Sequence, residues 1–211
     1  MWAFSLGFLL LLALVHPIYG AASPPSVPLA VRSPYLSTWL TPGSTALSAS
    51  WPSFWNGHNL GWTGFVNVDG ASYVFMGTPD VPNTTFKPSV QTPGMEITST
   101  QSIFTMTAGP VELTVRFLSP VEPSDLVNQS LPFSYFAVSA QSVDDKSHEV
   151  QVYSDISGGW LSSNSSMTVN WTTSVENAII HQVQLENQTL FADVDDRIQQ
   201  GSVYYATLNV S

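Results

Sequence analysis

Hydrophobic and polar residues alternate along short stretches of this chain, most clearly between residues 111 and 118. Val111, Leu113, Val115 and Phe117 are apolar, whereas Glu112, Thr114 and Arg116 lie between them. Because successive side chains of a β-strand point to opposite faces, this period of two predicts a strand with one buried and one exposed face. Antiparallel sheets commonly contain such strands, since one face packs on the core and the other meets solvent.

Comparable runs rich in β-branched and aromatic residues follow one another from residue 65 onward. They predict strands at 65–68, 72–76, 102–107, 111–118, 133–140, 148–153, 168–173, 179–185, 190–194 and 203–210. The Asp69-Gly70 pair predicts a tight hairpin, and a second turn is predicted at 108–110. About ten short strands at this spacing favour an all-β fold, an antiparallel β-sandwich that occupies residues 65–211.

The end of the chain has two further features. Acidic residues followed by Gly201 predict a short helical turn between Asp193 and Gln200. The last predicted strand, 203–210, extends to the residue before Ser211. We therefore expect the sandwich domain to be truncated at this end.

Residues 23–64 have a different composition, in which tryptophans alternate with prolines and glycines. Trp39, Trp51, Trp55 and Trp62 lie among Pro34, Pro42 and Pro52. This mixture disfavours both a long helix and a regular sheet. We interpret 23–64 as an irregular loop layer, rich in Trp and Pro, that lies across the sandwich.

The first 22 residues are typical of a secretory signal peptide. An apolar stretch from Phe4 to Val15 is followed by Pro17 and the small residues Gly20 to Ala22. No Lys or Arg precedes the apolar stretch, so a membrane anchor is the rival interpretation. Cleavage is favoured because the stretch is shorter than the roughly 20 residues that span a bilayer. The mature protein is then expected to be extracellular, with no stable membrane anchor.

Six N-glycosylation sequons support the secretory interpretation. Asn83, Asn128, Asn164 and Asn187 lie in turn-like contexts and are the better candidates, whereas Asn170 and Asn209 lie in predicted strands and are weaker.

Charge and cysteine content exclude several classes of function. The formal net charge is −10, and the five Lys and Arg residues are scattered. Nucleic acid is excluded as a partner because no basic cluster exists to neutralise phosphates. Without cysteine, the chain has neither a disulfide nor a thiolate nucleophile.

Motifs for catalysis or metal binding are weak. The chain lacks the Gly-x-Ser-x-Gly elbow and the Ser-x-x-Lys arrangement. His58, His148 and His181 are far apart, and the Asp193, Asp195 and Asp196 cluster lacks the spacing of a calcium loop. We expect neither a metal nor a cofactor, and the catalytic residues stay unknown.

Asp155 and Trp160 are candidate cleft-lining residues, because they flank a Gly-rich loop. A loop carboxylate beside an indole suits the amino or amide end of a substrate. The alternative, which we favour, is that Asp155 accepts hydrogen bonds within its own loop and Trp160 packs on the sheet.

Four phrases resemble the opening domain of the fungal glutaminase A family. They are RSPYLSTWL (32–40), WPSFWNG (51–57), YVFMG (73–77) and FLSPVE (117–122). The resemblance implies a secreted amidohydrolase that converts L-glutamine to L-glutamate and ammonia. In that family a second domain of helical hairpins follows, and it is missing here. We therefore expect this chain to be inactive alone, with that domain as its partner and glutamine as its small-molecule substrate.

Two other functions remain open. The tryptophans and the sandwich pattern are compatible with a non-catalytic carbohydrate-binding or scaffold module, because indole rings stack on sugar rings. A sandwich followed by helical hairpins also occurs in some glycoside hydrolases, so an accessory domain of such an enzyme is the third possibility.

Overall fold

The computed structural model describes residues 24–41, 43, 46–92 and 95–210, so the proposed signal peptide lies outside the described residues. The fold is all-β, as predicted. The strands are β1 Val27–Ser33, β2 Leu36–Leu40, β3 Pro52–Phe54, β4 Trp62–Val68, β5 Ala71–Met76, β6 Lys87–Pro88, β7 Val90–Gln91, β8 Glu96–Ile97, β9 Gln101–Ala108, β10 Val111–Leu118, β11 Tyr135–Ser142, β12 Val150–Ile156, β13 Val169–Val175, β14 Ala178–Leu185, β15 Asp193–Val194, β16 Arg197–Ile198 and β17 Val203–Leu208.

The only helical segments among these residues are short. Helix α1 spans Leu126–Ser130, and 3-10 turns span Leu47–Ala49 and Gly158–Trp160. In the described part of the chain, no helix has the length and apolar character needed to cross a membrane.

Two sheets contribute most of the core. One has the order β11-β10-β9-β7, with β8 also paired to β9, and the other has the order β12-β4-β5-β6. All of these pairs are antiparallel except β5 with β6. A single cluster of buried apolar side chains comes from strands of both sheets and from β1 and β2. This arrangement is the sandwich that the sequence predicts.

The alternation seen in the sequence is reproduced in β10. Val111, Leu113, Val115 and Phe117 are all buried, and Arg116 on the opposite face is exposed. Strand β9 pairs with β10 through the turn at 109–110, and it buries alternate residues in the same way. The predicted half-buried strand is therefore confirmed.

A close approach between β4 and β5 depends on Gly64. A Cβ atom placed on Gly64 would lie only 2.3 Å from the ring of Phe75, which is fully buried. Neighbouring aromatic rings meet edge-on, with the centroids of Trp62 and Phe117 5.3 Å apart. The missing side chain at residue 64 thus makes room for an aromatic ring of the core.

The N-terminal layer is more regular than its composition predicts. Instead of an irregular layer, β1, β2 and β3 form a three-stranded antiparallel sheet that buries Val27, Leu29 and Leu40 in the core. The prolines are tolerated because Pro52 is the first residue of a strand and Pro28 lies in an edge strand. The prediction of an irregular layer was wrong for these strands, although loops connect them.

The C-terminal part forms a hairpin and a separate three-stranded sheet, the third sheet, which is numbered after the two large sheets of the sandwich and does not count the N-terminal sheet. Strands β13, β14 and β17 pair in that order, and β15 pairs with β16. The helical turn predicted at Asp193 to Gln200 was wrong. Asp195 and Asp196 both have positive φ values, 51° and 60°, which are typical of a two-residue hairpin turn, and Asp tolerates this conformation better than most residues.

The Tyr205 hydroxyl connects the third sheet to the sandwich. It donates a hydrogen bond to Ser154 Oγ of β12 at 2.8 Å, and Ser154 Oγ donates in turn to the Thr63 carbonyl oxygen of β4. Burial raises the pKa of Tyr205, so its hydroxyl keeps the proton that it donates.

Candidate functional site

An open groove of about 540 Å³ lies between the sandwich and the third sheet. Three loop segments line it, namely 58–59 before β4, 157–159 after β12 and 162–167 before β13. Arg197 of β16 and Val169 of β13 complete the lining. Six of the twelve lining residues carry a hydroxyl or amide group, so the groove offers hydrogen-bonding groups beside its apolar surface.

Two hydrogen bonds hold the β15–β16 turn against these loops. Asn56 Nδ2 donates to Asp196 Oδ2 at 3.0 Å, and Ser163 Oγ donates to Asp195 Oδ2 at 2.9 Å. The acidic cluster predicted from sequence is therefore a turn whose carboxylates bind neighbouring loops. Arg197 directly follows these two attached aspartates.

Arg197 is a buried cation. Only 3% of its surface is exposed, and its guanidinium carbon lies 3.5 Å from the centroid of the Phe54 ring. Its Nε donates a long hydrogen bond of 3.4 Å to the Gly159 carbonyl oxygen, while its buried Nη1 has no hydrogen-bond partner. Buried polar groups are almost always hydrogen-bonded, so this nitrogen is an exception.

Burial lowers the pKa of Arg197, and the negative charges of Asp196 and Asp193 oppose that shift. The guanidinium stays protonated because its ordinary pKa is far above neutrality. The groove therefore contains a permanent positive charge in a protein whose net charge is −10.

Asp155 and Trp160 lie close to this groove, but neither is among the described residues that line it. Asp155 is within β12 and its Oδ2 accepts a hydrogen bond from the Tyr153 hydroxyl at 2.7 Å. Trp160 Nε1 donates to the Gly61 carbonyl oxygen, and its ring packs edge-on against Trp62. A role for this pair in lining a cleft stays a prediction.

The remaining chemical candidates are dispersed. Among the residues that the structure describes, no three His, Asp or Glu side chains are grouped so that they could hold a metal ion. His58 lies at the groove, whereas His148 binds Asp69 and Asp144, and His181 lies beside Thr173. Within this part of the chain, the groove combines a cation with polar groups. This arrangement suits the binding of a small molecule, but it does not identify a reaction.

The sequons occupy different surroundings. Asn83, Asn128, Asn164, Asn170 and Asn187 are exposed, and Asn164 also lines the groove. Asn209 is partly buried, and its Nδ2 donates to the Glu176 carbonyl oxygen at 3.0 Å.

Sequence reasoning missed Arg197. It counted this residue only as one of five cations, because nothing in a linear sequence indicates that a charged side chain is buried. The available signal was local: Arg197 directly follows two aspartates and precedes an apolar residue, a poor setting for a solvated basic patch.

Two family models match the chain. The first, described as "Domain of unknown function (DUF5127)", matches residues 100–211, and the second, "Domain of unknown function (DUF4964)", matches residues 20–88. No solved structure matches the chain significantly.

Two curated relatives are similar to most of the chain. "Glutaminase A" of Aspergillus oryzae is 43% identical over 197 residues, which cover 90% of this chain and 28% of the relative. "Probable glutaminase/05536" of Arthroderma benhamiae is 27% identical over 211 residues, which cover 87% of this chain and 23% of the relative. The chain thus spans about a quarter of the length of these relatives. The chain belongs to the DUF5127 family and is a member of the fungal glutaminase A family.

Proposed function

We propose that this chain is the β-sandwich part of a secreted glutaminase A-like amidohydrolase, which converts L-glutamine to L-glutamate and ammonia. One observation carries the proposal: the 43% identity to a protein named glutaminase A extends over 90% of this chain. Hydrolysis of the side-chain amide needs a positioned nucleophile or an activated water, and we assign neither to a residue of this chain.

In this proposal the active site is completed by further polypeptide. The curated relatives are more than three times as long as the region they share with this chain. The partner is a helical-hairpin domain of the same polypeptide, and the chain alone has little or no activity. This accounts for the lack of a recognisable catalytic group in the sequence.

Exposed apolar side chains of the third sheet support such a partner. Trp171 and Val175, which lie on the same face of β13, are 69% and 61% exposed. Exposed apolar side chains concentrated in one element are typical of surfaces that other polypeptide covers. We assign this sheet to the contact with the helical domain, because the relatives have the extra length to supply one.

Ammonia release from L-glutamine tests the proposal. The 211-residue chain is compared with a version extended by the downstream reading frame, at equal concentration. We expect activity in the extended protein and little or none in the shorter chain. Equal activity in both would remove the need for a second domain, and inactivity of a folded extended protein would overturn the glutaminase assignment.

Secretion and N-glycosylation belong to the same proposal. The signal-like residues 1–22 and five exposed sequon asparagines support it. Expression in a fungal host, followed by N-terminal sequencing and glycopeptide mass spectrometry, tests it. We expect an N-terminus near Ser23 and glycans on exposed asparagines, whereas Asn209 stays unmodified because it is partly buried. Retention of the intact N-terminus on membranes would favour an anchor instead.

Exposed indoles favour a second candidate function, carbohydrate binding. Trp55 and Trp171 are 57% and 69% exposed, and an indole face suits the apolar face of a pyranose ring. Pull-down with insoluble cell-wall polysaccharide tests this function. Retention that is lost in both Trp55→Ala and Trp171→Ala would support it, and equal retention of both variants would exclude stacking on these rings.

A further inference from the structure

The buried guanidinium of Arg197 has fewer partners than its burial requires. Removing a charge from water is costly unless hydrogen bonds or an opposite charge replace the lost hydration. Here Phe54 covers one face of the guanidinium, and the hydrogen bond from Nε to the Gly159 carbonyl oxygen is long at 3.4 Å. The buried Nη1 is unpartnered. The site is therefore short of an acceptor.

The nearby carboxylates do not supply that acceptor. Asp196 accepts a hydrogen bond from Asn56, and Asp195 accepts one from Ser163. Across the described ranges, every ion pair within 4.0 Å involves Asp69 or Asp144, so no carboxylate pairs with Arg197. The acids of the turn favour the charged form of the guanidinium from a distance, while its Nη1 has no hydrogen-bond partner.

The groove that reaches Arg197 has the chemistry to supplement this cation. Its lining includes the hydroxyl-bearing Ser157, Ser162 and Ser165 and the amide-bearing Asn59 and Asn164. Hydroxyl and amide groups donate hydrogen bonds to an oxygen anion without adding charge. A volume of about 540 Å³ exceeds what a single ion needs and is comparable to the pockets that hold small organic molecules.

We propose that this groove is a binding site for a small molecule that carries a carboxylate, with Arg197 as the group that binds the carboxylate. The planar fork of a guanidinium matches the two oxygens of a carboxylate and can bind both at once. Phe54 holds the plane of the guanidinium, and the β15–β16 turn fixes its position between the two loops. This site does not depend on amide hydrolysis, so it stands whether or not the proposed function holds.

Nuclear magnetic resonance of the arginine side chains tests the proposal directly. The chain has only three arginines, Arg32, Arg116 and Arg197, so selective ¹⁵N labelling gives three Nε–H signals. The full chain is produced without N-glycans because the Asn164 sequon lies in the groove. The probes are sodium acetate, succinate and L-glutamate, with acetamide as the uncharged control of similar shape and sodium chloride as the control for ionic strength.

We expect a saturable shift of the Arg197 signal with at least one carboxylate, and no saturable shift with acetamide or chloride. The exposed Arg116 is an internal control, and Arg116→Lys and Arg32→Lys assign the signals by elimination without altering the groove. Arg197→Lys keeps the charge but loses the fork, so it should weaken binding by about tenfold or more, as measured by calorimetry.

Three results would overturn the proposal. One is the absence of any saturable shift with all three carboxylates. A second is an equal response of the three arginine signals, or an equal response to chloride, which indicates nonspecific ionic effects. The third is undiminished affinity in a folded Arg197→Lys protein. Because the wild-type signals are read first, a variant that fails to fold does not affect the primary result.

Discussion

His148 Nδ1 lies 2.6 Å from Asp69 Oδ2, although 79 residues separate the two in sequence. The other ring nitrogen, Nε2, lies 2.8 Å from Asp144 Oδ1, so the imidazole bridges two carboxylates. Asp69 belongs to the hairpin turn between β4 and β5, and Asp144 belongs to the loop between β11 and β12. Only about 10% of the His148 side chain is exposed, so this contact ties two turns together at one end of the sandwich.

The bridge predicts a stability optimum in mildly acidic solution. Hydrogen bonds to Asp144 and Asp69 raise the pKa of His148 above 6.5, so its stabilising charge is present at low pH and is lost as the pH rises through the raised pKa. Hydrogen bonds from His148 lower the pKa of Asp144 to about 2 and also lower that of Asp69. Their contribution is present above about pH 3.8 and is lost as the pH falls. The bridge is therefore strongest between about pH 4 and 6.5.

Thermal unfolding of His148→Gln across this range checks the prediction. The loss in Tm relative to wild type should be largest between about pH 4 and 6.5 and should shrink on both sides. The ion pair between Lys146 Nζ and Asp144 Oδ2, at 3.4 Å, is present in both proteins, so its contribution cancels in the comparison. His181→Gln is the matched control, since His181 contacts the Thr173 hydroxyl rather than a carboxylate. A loss that is independent of pH would contradict the charged bridge.

Gly64→Ala should destabilise the sandwich. The new Cβ would lie 2.3 Å from the Phe75 ring, which is fully buried and cannot move aside without disturbing the core. Overpacking of this kind typically costs about 1–3 kcal/mol, measurable by chemical denaturation. Gly158→Ala is the control, because a Cβ there meets nothing within 4 Å. Equal stability of the two variants would show that the core relaxes around residue 64.

Tyr205→Phe should loosen the third sheet from the sandwich. The substitution removes the hydrogen bond to Ser154 Oγ but keeps the ring, so we expect a loss of about 0.5–1.5 kcal/mol in the free energy of unfolding. Tyr204→Phe is the neighbouring control, since Tyr204 points to the other face of the strand and is 47% exposed. Hydrogen exchange should increase in β17 for Tyr205→Phe alone. Unchanged exchange would indicate that other contacts hold this sheet.

Arg32→Ala should release the segment around α1. The guanidinium of Arg32 donates to the carbonyl oxygens of Pro120, Gln129 and Leu131, at 2.5, 2.8 and 3.2 Å. These bonds attach the segment to β1 across about ninety residues of sequence. We expect faster proteolysis between 120 and 131, with the sandwich core intact by circular dichroism. Arg116→Ala, at an exposed position of β10, should leave the cleavage rate unchanged.

Local patterns by themselves determined the fold class and most of the long strands after residue 62. The alternation in β10 and the Asp69-Gly70 turn were readable from sequence because the period of a strand and the backbone preference of a turn residue are local properties. The four phrases indicated the family, and the relatives agree with it.

Tertiary structure decided which strands pair and which charged residues are buried. Strand β12 pairs with β4 rather than with β11, and the proline-rich strands at the N-terminus join the core, because packing of distant side chains outweighs local preference. Burial of Arg197 against Phe54 and the bridge at His148 both join residues far apart in the chain. No local pattern encodes such contacts, since they exist only when the sheets have assembled.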